Sequence, residues 1–308
     1  MTQRLACPLA LACLLGGEAG AQSPFANFES PQARSLAVSA DGLRLFAINT
    51  PAGSLAIYSL AQPTAPVLIQ EVAVGLEPVS VAVRTPDEVW VVNHISDSIS
   101  VVDVARRKIV DTIRVEDEPG DVAFAGAPQR AFVTSMTRRE VQIIDPVRRT
   151  VVGAIPVFGD DPRALLASAD GKRVWVAMTR SGNGTTIVPH GIAPPPPPPT
   201  NRQLPPAPKQ GILVRADDPT WKARLNVNLP DHDVVEIDAM TLAVRRSYRG
   251  VGTILFNLVQ RPATDELWVA NTEARNLVRF EPALRGHAID SRISRIATGA
   301  TPGVTPVD

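Results

Sequence analysis

The feature that most limits what this chain can fold into is an internal repeat. Five short runs resemble one another: "LFAIN" at 45–49, "VWVVN" at 89–93, "AFVTS" at 131–135, "VWVAM" at 174–178 and "LWVAN" at 267–271. Their aromatics, Phe46, Trp90, Phe132, Trp175 and Trp268, lie 44, 42, 43 and 93 residues apart, so the last gap is one repeat plus an insertion. Two further landmarks share the period. "SVVD", "QIID", "VEID" and "VRFE" end at Asp103, Asp145, Asp238 and Glu281. Gly-x-x-Pro occurs at Gly75–Pro78 and Gly159–Pro162, with the variant Glu116–Pro119.

Within a repeat, four apolar and β-branched runs are divided by turn residues. In the second copy they are Val79–Val83, Val89–Val92, Ser98–Asp103 and Val110–Val115. Four antiparallel strands every 40–45 residues is the pattern of a β-propeller blade. Continuous runs such as Trp90-Val91-Val92 suit sheets covered on both faces by neighbouring blades. Each repeat tryptophan therefore reads as packing between blades. Asn93 and Asn271 suit strand ends, because asparagine tolerates left-handed backbone.

The predicted fold class is all-β, with five propeller blades over residues 22–299. Gly299-Ala300-Thr301-Pro302 repeats the motif that opens each blade, so 300–308 is expected to start a truncated sixth. Ser291 to Ile296 is expected to be the outer strand of the fifth. The chain is thus read as an incomplete arc of a larger, seven-bladed propeller. A bare blade face would expose on the order of 500 Å² of apolar surface, worth ~12 kcal/mol at about 25 cal/mol/Å².

The N-terminus reads as an export signal over residues 1–21. Arg4 supplies a positive start, Leu5 to Leu15 an apolar stretch of 11 residues, and Ala19-Gly20-Ala21 an A-x-A cleavage site. Such a stretch is too short to span a bilayer, and no later segment qualifies. The expected location is periplasmic or secreted. A lipoprotein acylated at Cys13 is the alternative, although Ala10-Leu11-Ala12 matches a lipobox poorly. Both cysteines, Cys7 and Cys13, fall inside the signal, so a chain starting at Gln22 holds no thiol for disulfides, Cys-ligated zinc or covalent haem. Lys plus Arg and Asp plus Glu are both 31, leaving no cationic surplus to neutralise a nucleic-acid backbone.

The repeat "WVVNHISDSISVVDVARRKIVDTIRVEDEP" resembles the YVTN-type β-propeller family over 31–299. "LPDHDVVEIDA", "VGTILFNLV" and "NTEARNLVRFE" resemble an exported bacterial subgroup whose longer members carry a C-terminal c-type cytochrome region. No C-x-x-C-H occurs here, so that cofactor is not expected within this chain.

Strand order puts the inter-blade links and the second-to-third strand loops at one end. That end also carries the insertion, about Thr179 to Asp231, with six consecutive prolines at 194–199. Six prolines favour stiff polyproline II. The insertion is read either as a surface loop or as a lid or strap for a partner, with Trp221 anchoring it against the propeller. The opposite end has only tight turns. Rigid scaffolds often carry binding residues on such loops, which makes Asn93, His94, Asp117, Asp160, Asp161, Arg163, Asn271, Glu273 and Arg275 the binding-face candidates. The four histidines form no H-x-x-H or H-E-x-x-H spacing, and G-x-S-x-G is absent, so neither a metal site nor a catalytic residue is assigned. The leading expectation is a non-catalytic binding and assembly scaffold, with a protein partner or a further C-terminal domain on this face. A propeller belonging to an electron-transfer or oxidoreductase protein, and a lactonase-like metal-dependent hydrolase, are the alternatives.

Overall fold

The structure is a computed structural model that describes residues 31–307, apart from 197, 199, 200, 204, 206, 207, 226–229 and 275–288. The export signal and Arg275 lie outside the described residues. None of the described residues is helical. The first sheet contains β1 (Leu36–Val38), β2 (Arg44–Asn49), β3 (Ser54–Ser59) and β4 (Val67–Ala73). The second contains β5 (Pro78–Thr85), β6 (Glu88–Asn93), β7 (Ser98–Asp103) and β8 (Lys108–Arg114). The third contains β9 (Pro119–Ala125), β10 (Arg130–Ser135), β11 (Glu140–Asp145) and β12 (Thr150–Pro156). In the fourth, β13 (Asp160–Ala167) and β14 (Arg173–Arg180) are followed by a separate hairpin, β15 (Thr185–Val188) and β16 (Ile212–Arg215). The chain then returns as β17 (Val234–Asp238) and β18 (Val244–Tyr248). The fifth contains β19 (Ile254–Gln260), β20 (Glu266–Ala274), β21 (Ile289–Ala297) and β22 (Gly303–Val307). Each sheet is an antiparallel meander, and one residue pair, Arg180 with Ile254, joins the fourth to the fifth.

The sheets pack face to face, and four apolar clusters fill the gaps between consecutive ones. Phe46 fills the first gap, Trp90 the second, Phe132 the third and Trp175 the fourth, all 0% exposed. Trp268 occupies the same place in the fifth sheet yet is 37% exposed, because no sheet among the described residues covers it. Phe256 and Val259 are exposed beside it, and Leu36 and Val38 are exposed on the first sheet. The sheets therefore form an arc with an uncovered flank.

The repeated aspartates turn out to be turn caps. Asp145 Oδ1 accepts the Val147 and Arg148 amides at 2.9 and 3.0 Å, and Asp238 Oδ1 accepts those of Met240 and Thr241, both at 2.9 Å. Asp103 accepts from Arg106 in the same way. These amide bonds hold all three carboxyls below the usual aspartate range. The turn that follows places Arg107, Arg149 and Leu242 in left-handed backbone.

Gly-x-x-Pro also has a steric origin. A Cβ on Gly75 would stand 2.6 Å from Asn93 Cγ, and one on Gly159 would stand 2.6 Å from Met178 Cγ. A side chain at or near the end of the second strand lies over this position. In the third repeat that side chain is the small Ser135, and the position can be Glu116. Asn93 and Asn271 act through their side chains here, since neither has left-handed backbone.

The C-terminus departs from expectation. Gly303–Val307 does not begin a sixth sheet; it pairs with β21 as the outer strand of the fifth. Residues 291–296, expected at that outer edge, lie inside β21, which pairs along its whole length with β20. A lone first strand of another sheet would have no ladder partner, whereas the free edge of β21 gives β22 five paired positions. "VRFE", expected as the third strand, lies outside the described residues.

Candidate functional site

At the loop-rich end the inter-sheet links and the second-to-third strand loops are stitched together by backbone bonds. His94 N–H donates to Glu77 O at 2.9 Å, Met136 N–H to Glu118 O at 3.1 Å, and Val157 N–H to Arg139 O at 3.0 Å. The third residue of each link (Glu77, Glu118 and Asp161) is left-handed, with φ near 50° (50°, 54° and 53°).

The sequence-derived candidates divide into three kinds. Asn93 and Asn271 are buried locks: Asn93 Oδ1 accepts the Gly75 amide at 3.1 Å, and Asn271 Nδ2 donates to Ser294 Oγ at 3.0 Å. His94 is nearly buried, with Nδ1 3.1 Å from Pro119 O. Asp160, Asp161 and Glu273 are neutralised. Arg139 meets Asp160 at 2.9 Å, Arg180 bridges Asp160 and Asp161 at 3.2 and 2.8 Å, and Arg292 meets Glu273 at 2.9 Å. Asp117 is exposed and Arg163 half-buried. Asp160, Asp161 and Arg163 share one neighbourhood, while Glu273 lies beside the insertion.

The insertion is anchored at its neck and packed on itself. Val188, Ala193 and Val214 form a small core that Trp221 joins, so this tryptophan serves the insertion's own cluster rather than the propeller. At the neck Gly182 N–H donates to Pro230 O at 3.3 Å, and Asn183 Nδ2 donates to Glu273 at 2.6 Å. Asp233, wholly buried, accepts from the Ser181 hydroxyl and from the Val251 amide at 2.6 Å. Burial outweighs these bonds and pushes its carboxyl up to about 6. Neighbouring His232 is held below its usual range by burial and then by the Arg249 cation.

Sequence reasoning missed the groups on the axis. Asp121 is 0% exposed and accepts from the Ser80 hydroxyl and from the Val122 and Leu165 amides, both at 2.8 Å. Arg34 crosses to within 3.6 Å of Asp121 and donates to Leu165 O at 2.6 Å. Asn257 Nδ2 reaches Ala33 O at 2.6 Å, which joins the fifth inner strand to the segment leading into the first. The available signal was an ionisable residue inside the apolar run "DVAFA". Beyond this polar layer, toward the tight-turn end, lies a cavity of about 440 Å³ walled by Leu36, Val38, Val81, Val83, Phe124 and Leu166.

No known family profile matches the sequence, and neither does any curated protein. Solved structures do match. A chain of Kuenenia stuttgartiensis hydrazine synthase aligns over 93% of this chain and 68% of its own, with 21% identity and a TM-score of 0.66. The fold is that of a β-propeller. A Bacteroides uniformis protein described as a 6-phosphogluconolactonase aligns over 89% of this chain and 70% of its own, at 13% identity and a TM-score of 0.57. A Desulfotomaculum acetoxidans protein of unknown function aligns over 89% and 68%, at 10% identity and 0.55. At these identities the likeness is one of fold, and propellers host many activities. No helix among the described residues is long and apolar enough to cross a membrane.

Proposed function

We propose that this protein is an exported, periplasmic propeller that binds and assembles protein partners through its loop-rich end. The observation carrying this reading is the insertion, which has its own small core and whose neck is tied to the fourth and fifth sheets through Asp233, Asn183 and Glu273. A segment fixed in this way projects from a rigid base instead of drifting over it. Glu273 beside it is spent on Arg292 and Asp233 is buried against Ser181 and Val251, so the face offers shape and hydrogen bonds rather than general acid–base chemistry. The test replaces the chain between Gly182 and Pro230 with a short linker and compares captured partners. Loss of capture with an unchanged melting profile is expected; an unaltered partner set would overturn the reading.

The likeness to hydrazine synthase favours a second reading, the propeller part of a periplasmic electron-transfer or oxidoreductase protein. With no cysteine after Cys13, covalent haem would have to reside outside residues 22–308. Co-purification with a protein that absorbs in the Soret region would support this, and its absence from native complexes would count against it. A lactonase-like hydrolase, suggested by the Bacteroides likeness, gains less, because Asp121 at the axis is already engaged by Ser80, Val122 and Leu165.

A further inference from the structure

We infer that Arg163, at the axial mouth of the loop-rich end, is a receptor for a carboxylate that the described residues do not supply. The inference rests on the reading of this end as a binding face and specifies its chemistry. Four other arginines at this end hold an acid: Arg139 has Asp160 at 2.9 Å, Arg180 has Asp161 at 2.8 Å, Arg138 has Glu116 at 3.1 Å and Arg292 has Glu273 at 2.9 Å; Arg114 and Arg249 are exposed. Arg163 is half-buried, yet among the described residues no carboxylate lies within 4.0 Å of it. Its two hydrogen bonds are weak ones, to Pro31 O at 3.4 Å and to Met136 Sδ at 3.8 Å.

The position is prepared sterically. Arg163 lies over Gly120, where a Cβ would come 3.3 Å from Arg163 Cγ and 3.0 Å from Thr134 Oγ1. A guanidinium withdrawn from water without an acid partner is costly, and a ligand carboxylate removes that cost. Burial also holds the Arg163 pKa below its ordinary value, as expected of a cation lacking a contacting anion. Glu118 and Asp161 lie near enough to act on Arg163 through charge without touching it. Their presence disfavours a dianionic phosphate and favours a single negative charge, and the planar guanidinium fork fits a carboxylate in two-point contact.

The test titrates the full chain with sodium acetate at constant ionic strength against chloride, following binding by calorimetry and the melting temperature. Acetate should bind and raise the melting temperature. Arg163→Met should abolish the effect. Arg163→Lys, which keeps the charge and guards against a folding defect, should weaken binding about tenfold or more, since it removes two-point contact. Gly120→Ala, which crowds the side chain without removing charge, should weaken it as well. Blocked Gly-Glu-Gly and Gly-Gln-Gly peptides separate the sources. Selective binding of the glutamate peptide assigns the carboxylate to a protein partner, and acetate binding without peptide binding assigns it to a free small acid. No acetate binding, equal binding by Arg163→Met, or equal binding of inorganic phosphate would overturn the inference. Partner capture that depends on the insertion but not on Arg163 would leave the scaffold reading standing and remove this one.

Discussion

Asp233 offers the sharpest test of how the neck is held. Its carboxyl titrates at about 6 in the folded chain, against an ordinary value of 3.8. The folded state thus binds this proton more tightly than the unfolded state. That contribution to stability is complete below about pH 4 and is lost as pH rises to about 6. The full difference corresponds to about 3 kcal/mol. Asp233→Asn makes the neutral form permanent: its carbonyl can accept the Val251 amide while its amide faces Ser181. The Ser181 hydroxyl then loses its acceptor, which costs about 1 kcal/mol. Relative to wild type, the variant should therefore be about 1 kcal/mol less stable at pH 4 and about 2 kcal/mol more stable at pH 7. Urea titrations of both proteins across this range measure the difference, and the comparison cancels other carboxylates and His232. A difference that stays flat with pH would show that burial does not govern this group.

Two further outcomes follow from packing. Gly75→Ala and Gly159→Ala each force a Cβ against a second-strand side chain, Asn93 or Met178, and should cost about 1–3 kcal/mol by denaturant unfolding. Gly153→Ala, with nothing within 4 Å of the added carbon, should be neutral or slightly stabilising; equal costs at all three would refute the steric account. Trp175→Ala should cost about 3–5 kcal/mol, whereas Trp268→Gln should cost about 1 kcal/mol or less, because the uncovered face supplies few contacts. Similar losses in thermal melts would mean that the fifth sheet is covered in solution.

Much of the architecture was written locally and so was legible. The run Ser98–Asp103 is a strand with those same ends, and Val89–Val92 lies within β6, because alternation, β-branching and turn aspartates act over a few residues. The end of the chain was misjudged because a Gly-x-x-Pro resemblance says nothing about which free edge a strand will find. The candidate site was less legible still. Asp160 meets Arg139 across 21 residues, and Arg34 meets Leu165 across 131, pairings set by sheet stacking rather than by sequence spacing. Asn93 and Asn271 read as strand-end residues on the binding face, although the glycine that Asn93 covers, Gly75, is itself one of the repeat's landmarks.

The junction of Arg34, Asp121 and Asn257 makes the molecule resemble a hand fan, its ribs riveted together at the pivot. In such an object no rib can tilt without loading the rivet, and whatever presses on the rivet is felt by every rib. A molecule settling over Pro31 at the mouth would rest almost directly on that rivet, so five sheets that otherwise touch only their neighbours would respond as one body.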